Sequence, residues 1–242
     1  MFLVVDIGNT NIVFAIYQKF KSEFQLLKSF RISSNLYRTP DEYSFIINNC
    51  FKINDYDFNK LNGVAIASVV PEILNNLEIY FKYNLNLPLF IVKSNELNIE
   101  INIDNPNEAG QDRLINAFAV HKMRFDPAII IDFGTATTLD VVGKGGSYLG
   151  GIIAPGINLS VESLYNSTSR LPKIAFKSLA DEKNTLLGKN TISAIESGMF
   201  WGYVCMIEGL LNKLKKYFPN SNVIATGGLS HIFKNNISID VF

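Results

Sequence analysis

Two short stretches set a carboxylate beside a run of small residues: "DIGNTN" from Asp6 and "DFGTAT" from Asp132. In both, the acid closes an apolar run, one apolar residue and a glycine follow, and small polar residues lead into a second apolar run. A turn of small residues after a buried strand aims backbone N–H groups at one point, a concavity that binds phosphate oxygens. Gly8 lets the backbone approach closely, and Asn9, Thr10 and Asn11 add side-chain donors. Asp6 can hold a divalent cation through water, because Mg²⁺ keeps part of its hydration shell. Asp132 to Thr138 offers the same groups with more hydroxyls. Alone, either stretch also fits a hairpin turn with an Asp or Asn cap. As a pair facing each other across a cleft, they would grip a polyphosphate from both sides. Neither is a Walker A or a G-x-G-x-x-G fingerprint.

The elements that carry these turns repeat along the chain. Asp6 and Asp132 are separated by the same interval as Gly8 and Gly134 (132 − 6 = 134 − 8 = 126), about half of the 242 residues. Two domains of similar fold, each opening with strand, turn and strand, account for it. We place them at 1–115 and 116–242. Phe2–Val5 suits a buried strand, followed by strands over Ile12–Tyr17 and Glu23–Phe30. Pro40 and Pro71 stand in the first turns of two expected helices, with strands at Gly63–Val70 and "PLFIV". Gly110 to Arg124 carries Leu114, Phe118, Val120 and Met123 at helical spacing. The second half reads as strand, turn and strand from Ala128, a strand in "SYLGGIIAPGI", and a helix from Asn158. One long helix over Asn190–Tyr217 has the stripe Ile195, Met199, Tyr203, Met206, Leu210, Leu214. "NVIATGGLS" closes the chain as a strand, a Gly-Gly turn and a last helix.

Composition narrows the setting. Hydrophobic residues make up 48% and charged residues 18%, which specifies a folded chain with a substantial core. Lys+Arg and Asp+Glu balance at 22 each, so no basic excess points to nucleic acid or to an anionic membrane. No apolar stretch approaches the roughly 20 residues of a membrane helix. The N-terminus lacks the basic region of a signal peptide, so a cytoplasmic protein is expected. Cys50 and Cys205 form no metal-type spacing and read as two buried thiols in a reducing compartment. His121 and His231 match no site motif, and "NKLKK" reads as a solvated helix face.

The paired loops resemble the phosphate motifs of the superfamily that unites acetate and sugar kinases with actin. "DIGNTN", "GQDR", "DFGTATTLD", "GGIIAPG" and "TGG" occur in the order and at the spacings found in type III pantothenate kinases, and the resemblance covers almost the whole chain. It implies an α/β protein of two actin-like (ribonuclease H-like) domains, mixed sheets flanked by helices, with the nucleotide cleft between them. It further implies transfer of the γ-phosphoryl group of ATP to the primary hydroxyl of pantothenate, the first committed step towards coenzyme A. Carried over by motif, Asp6, Ile7, Gly8, Asn9, Thr10, Asn11, Ile12 and Val13 form the first ATP-phosphate loop, and Thr135 contacts ATP from the second. Gly227 and Gly228 lie near the adenosine, and Asp112 is the general base. Gly110, Gln111, Asp112 and Arg113 line the pantothenate site together with Thr191. Asp132 holds a monovalent cation, K⁺ or NH₄⁺, while Asp6 serves Mg²⁺ through water.

A planar guanidinium such as Arg113 suits the pantothenate carboxylate. Without the resemblance, Asp112–Arg113 reads as a surface ion pair at a helix start, and Thr191 as a helix cap. Ile103 stands where the family often has a Tyr that contacts substrate, and Gln111 where a smaller residue is usual. Relatives are homodimers, and the long helix is a candidate interface element. Two other readings fit the loops: a superfamily kinase for another small hydroxylated substrate, and an actin-like ATPase without a phosphoacceptor.

Overall fold

In a computed structural model, residues 1–21, 23–168, 171–174 and 186–242 are described. The chain divides into two compact units, one of Met1–Asn98 with Gly110–Ile115, the other of Ile99–Ala109 with Asn116–Phe242.

In the first unit, β1 (Phe2–Ile7), β2 (Asn11–Phe20), β3 (Glu23–Ser33), β4 (Val64–Ser68) and β5 (Leu89–Ile91) form one sheet in the order β3-β2-β1-β4-β5. β2 pairs antiparallel with both β1 and β3, whereas β1–β4 and β4–β5 are parallel. Although Phe2–Val5 is apolar throughout, β1 buries one face only: Leu3, Val5 and Ile7 are wholly buried and Val4 is 39% exposed. The helices α1 (Pro40–Ile53) and α2 (Pro71–Glu78) each start at a proline, whose fixed φ suits the first turn. α1 opens with a full capping box between Thr39 and Glu42. Tyr43, Ile47 and Phe51 of α1 and Ile73 and Leu77 of α2 join the strand residues in one core, and α2 runs on as a π-helical segment, Ile79–Asn84.

The second unit repeats the plan. β6 (Ala128–Phe133), β7 (Ala136–Val142), β8 (Tyr148–Pro155) and β9 (Asn222–Thr226) lie in the order β8-β7-β6-β9, antiparallel except for the parallel β6–β9 pair. The fifth place, held by β5 in the first sheet, is taken here by a single parallel bridge from Ile224 to Val241. Unlike β1, β6 is buried along Ala128–Ile131 without alternation. The helices α4 (Ile157–Asn166), α5 (Thr191–Tyr217) and α6 (Ser230–Phe233) contribute to this core. The segment before α3 (Gln111–Lys122) belongs to this unit: Tyr148 accepts from Asn102 N–H and donates to Glu100 O, both at 2.8 Å.

Several expectations shift in detail. The fully buried stripe of α5 is Ser197, Phe200, Tyr203, Val204, Ile207 and Leu211, so Met199, Met206, Leu210 and Leu214 sit at its margin. On α3 the buried residues are Leu114, Ala117 and Val120, while Met123 lies past the helix and is 65% exposed. Neither cysteine is fully buried: Cys50 is half-buried and Cys205 is exposed, because Cys205 follows Val204 on α5 and points away from the face that Val204 buries. Among the described residues, no helix is long and apolar enough to cross a membrane.

Candidate active site

The first loop is the turn between β1 and β2. Asp6 stands opposite Val13 on β2 and Ala67 on β4, and the pair Ile7–Ile12 leaves Gly8–Asn11 as the connection. The Gly8 N–H closes this turn onto Asn11 O at 3.0 Å. Ile7 and Ile12 are wholly buried and anchor the loop in the core, so they offer only backbone, whereas Asn9, Thr10 and Asn11 are exposed. The Asp6 carboxyl is pushed above the usual carboxylate range, first by desolvation and second by the negative charge of Asp112. Asp6 remains solvent-accessible, so the desolvation is partial.

Asp112 comes to this neighbourhood at the start of α3. Gly110 precedes the helix, and the side-chain amide of Gln111 donates to Val92 O, which ties the helix start to the end of β5. The larger residue at 111 thus acts as an anchor. Asp112 is exposed, and its Oδ1 accepts the N–H of the next residue, Arg113, at 2.8 Å. Among the described residues, no group of three or more His, Cys, Asp or Glu is arranged for a metal ion. One or two carboxylates completed by water and substrate oxygens is the way Mg²⁺ is usually held.

The second loop lies between β6 and β7. Asp132 stands opposite Thr138 and Thr226, and the pair Phe133–Thr137 leaves only Gly134–Ala136 as the connection. Gly134 N–H closes it onto Ala136 O at 3.2 Å. The Asn116 amide donates to Asp132 Oδ2 at 3.2 Å, a contact with no local sequence signal. On the other side, Gly227 has φ +92°, and a Cβ there would lie 2.5 Å from Asp132 Oδ1. Only glycine fits at this left-handed position beside the carboxylate. Gly228, next along, is exposed. The extra hydroxyls point elsewhere: Thr137 is wholly buried against the Tyr203 hydroxyl, and Thr138 donates to the buried Asp140 at 2.7 Å. Thr135 is the exposed hydroxyl of this turn.

Thr191 does not cap α5. Asn190 does, in a capping box with Ser193, which leaves Thr191 exposed at the first helical position. Ile103 packs against Gly150 in the second unit. His121 Nδ1 lies 3.4 Å from Asp126 Oδ1, and His231 is exposed.

The family model described as type III pantothenate kinase matches residues 2–213. A type III pantothenate kinase of Koribacter versatilis is 37% identical over 238 residues, 95% of this chain and 85% of the relative. One from Listeria welshimeri is 38% identical over 245 aligned positions, 100% of this chain and 91% of the relative. Among solved structures, the (R)-2-hydroxyglutaryl-CoA dehydratase component A of Acidaminococcus fermentans superposes with a TM-score of 0.55 at 10% identity, covering 99% of this chain and 90% of that one. The activator of 2-hydroxyisocaproyl-CoA dehydratase from Clostridium difficile, with bound ADPNP, gives 0.51 at 12% identity over 99% and 87%. At such identities these likenesses speak for the fold alone, an α/β fold of two mixed sheets with helices, as the motifs led us to expect.

Proposed function

The chain belongs to the type III pantothenate kinases, ATP-dependent enzymes that phosphorylate pantothenate in coenzyme A biosynthesis, and from that premise we propose how its residues divide the reaction. Asp6 to Val13 receive the ATP phosphates on loop N–H groups and on the side chains of Asn9, Thr10 and Asn11, and Thr135 contacts ATP from the second loop. Asp112 is the general base: it takes the proton of the pantothenate hydroxyl as that oxygen bonds to the γ-phosphorus and the bond to ADP breaks. Phosphoryl transfer has a loose transition state, so this proton leaves late in the step. Arg113 pairs with the pantothenate carboxylate, and Gly110, Gln111 and Thr191 complete that site. Gly227 and Gly228 run past the adenosine.

Asp6 holds Mg²⁺ through water, which supplies charge neutralisation at the phosphates. Asp132, steadied by Asn116, holds K⁺ or NH₄⁺. The active species is a homodimer.

One feature supports this choice of base: the Asp6 carboxyl is raised by desolvation and then by the negative charge of Asp112, a charge felt at the loop that we read as holding phosphate. The test is a coupled ATP assay with pantothenate and a panel of sugars as acceptors. Turnover with pantothenate alone is expected, and none with pantothenate would overturn the reading.

A further inference from the structure

We propose that Ser34 is a positioning residue of the first phosphate loop, and that Gly156 holds the corresponding place at the second. The proposal rests on reading Asp6 to Val13 as the ATP-phosphate loop. The correspondence follows from the two sheets. Ser33, the last residue of β3, pairs with Asn11, the first residue of β2; Pro155, the last of β8, pairs with Ala136, the first of β7. Ser34 and Gly156 are therefore the residues directly after the outer strand in each unit. Both turn back on the loop beside them in the same way. The Ser34 N–H donates to Thr10 O at 2.9 Å, and the Gly156 N–H donates to Thr135 O at 3.1 Å.

The difference lies in the side chain. Ser34 Oγ donates to Gly8 O at 2.6 Å, so Ser34 holds two carbonyls of the first loop. At Gly156 there is no room for such a group: a Cβ would overlap Thr135 O and lie 2.6 Å from Gly134 O. The second turn, one residue shorter, has its carbonyls against the backbone of residue 156, whereas at the first turn the Ser34 hydroxymethyl group reaches the Gly8 carbonyl.

The physical consequence concerns peptide orientation. A carbonyl aimed at a polyphosphate repels it, whereas an N–H attracts it. Each peptide plane couples the carbonyl of one residue to the N–H of the next. Holding Gly8 O and Thr10 O towards β3 fixes the direction of the Asn9 and Asn11 N–H groups. Without the Ser34 hydroxyl, the Gly8–Asn9 peptide loses its tether, and ATP binding must order it.

Steady-state kinetics with ATP and pantothenate varied separately, ATP titration calorimetry and thermal melting on Ser34→Ala and Ser34→Thr decide the matter. Ser34→Ala is expected to raise the KM and Kd for ATP about five- to tenfold, the loss of one hydrogen bond, with kcat and the KM for pantothenate within about twofold. Ser34→Thr keeps the hydroxyl and should restore ATP affinity to within about twofold of the native protein. Gly156→Ala should weaken ATP more than Ser34→Ala does, since its Cβ displaces the second loop. Native ATP affinity in Ser34→Ala, equal changes for both substrates, or failure of Thr to rescue would overturn the proposal. Calorimetry judges it even if pantothenate proves not to be the acceptor, so failure of the functional reading is told apart.

Discussion

The two halves of this protein build the same strand-turn-strand and use it differently. The first closes over Gly8–Asn11 and the second over Gly134–Ala136, one residue shorter. The longer turn exposes Asn9, Thr10 and Asn11, and its strand β1 buries a single face. The shorter turn sits on β6, buried on both faces along Ala128–Ile131, and its neighbours Thr137 and Thr138 engage Tyr203 and Asp140. The acids diverge in the same sense. Asp6 has another carboxylate nearby, while Asp132 has the Asn116 amide and the bare backbone of Gly227. A duplicated scaffold thus carries an exposed, donor-rich loop in one half and a shorter, more buried turn in the other.

The largest effect we expect is at Asp112. If Asp112 is the base we propose, Asp112→Asn should lower kcat about 10²- to 10⁴-fold while the calorimetric Kd for ATP stays within about twofold, since the substitution leaves the Gly8–Asn11 loop in place. A matching loss of ATP affinity would move Asp112 from chemistry to binding. Next come the paired acids. Asp6→Asn should raise the Mg²⁺ concentration needed for half activity by about 10- to 100-fold and leave the K⁺ requirement alone. Asp132→Asn should do the converse, and replacing K⁺ by Na⁺ should cut native activity. Crossed effects would break the assignment of one cation to each half.

Smaller effects test the cores. Tyr203→Phe leaves the buried Thr137 hydroxyl without this partner and should cost about 2 kcal/mol in denaturant unfolding. Thr39→Ala at the α1 cap should cost about 1 kcal/mol. The Glu42 carboxyl is held below its ordinary value, first by the Thr39 N–H. Its folded pKa is depressed, so its stabilisation is present at neutral pH and fades as pH falls through that lowered value. A native-minus-variant difference that grew on acidification would contradict the capping box.

The sequence makes the repeat legible because Asp, Gly and apolar runs are local patterns that survive at a fixed interval. Most strands and helices follow from the same signals, as at Pro40 and Pro71. What it hides are contacts between distant segments. Nothing near Ser34 marks its bond to Gly8, and nothing near Asn116 marks its bond to Asp132. The one-residue difference between the turns is invisible too, since the interval of 126 holds through Gly134 and register shifts only beyond it. The α5 stripe is legible as a helix but is rotated in phase: both faces are apolar, and Phe200, Val204, Ile207 and Leu211, each one residue on from Met199, Tyr203, Met206 and Leu210, are buried, beside Ser197 bonded to Leu186 O.

The bridge at Val241 has a consequence for behaviour at high concentration. An uncovered strand edge is a template for pairing with another chain. Along β9, the backbone of Asp240 and Val241 bonds to Val223 and Ala225, and the Asp240 carboxylate accepts the Val223 N–H at 2.7 Å. A charged residue thus covers the flank of β9, a strand whose Val223, Ile224 and Ala225 are otherwise apolar and buried. Such a plug guards against edge-to-edge aggregation in crowded solution without the length of a fifth strand.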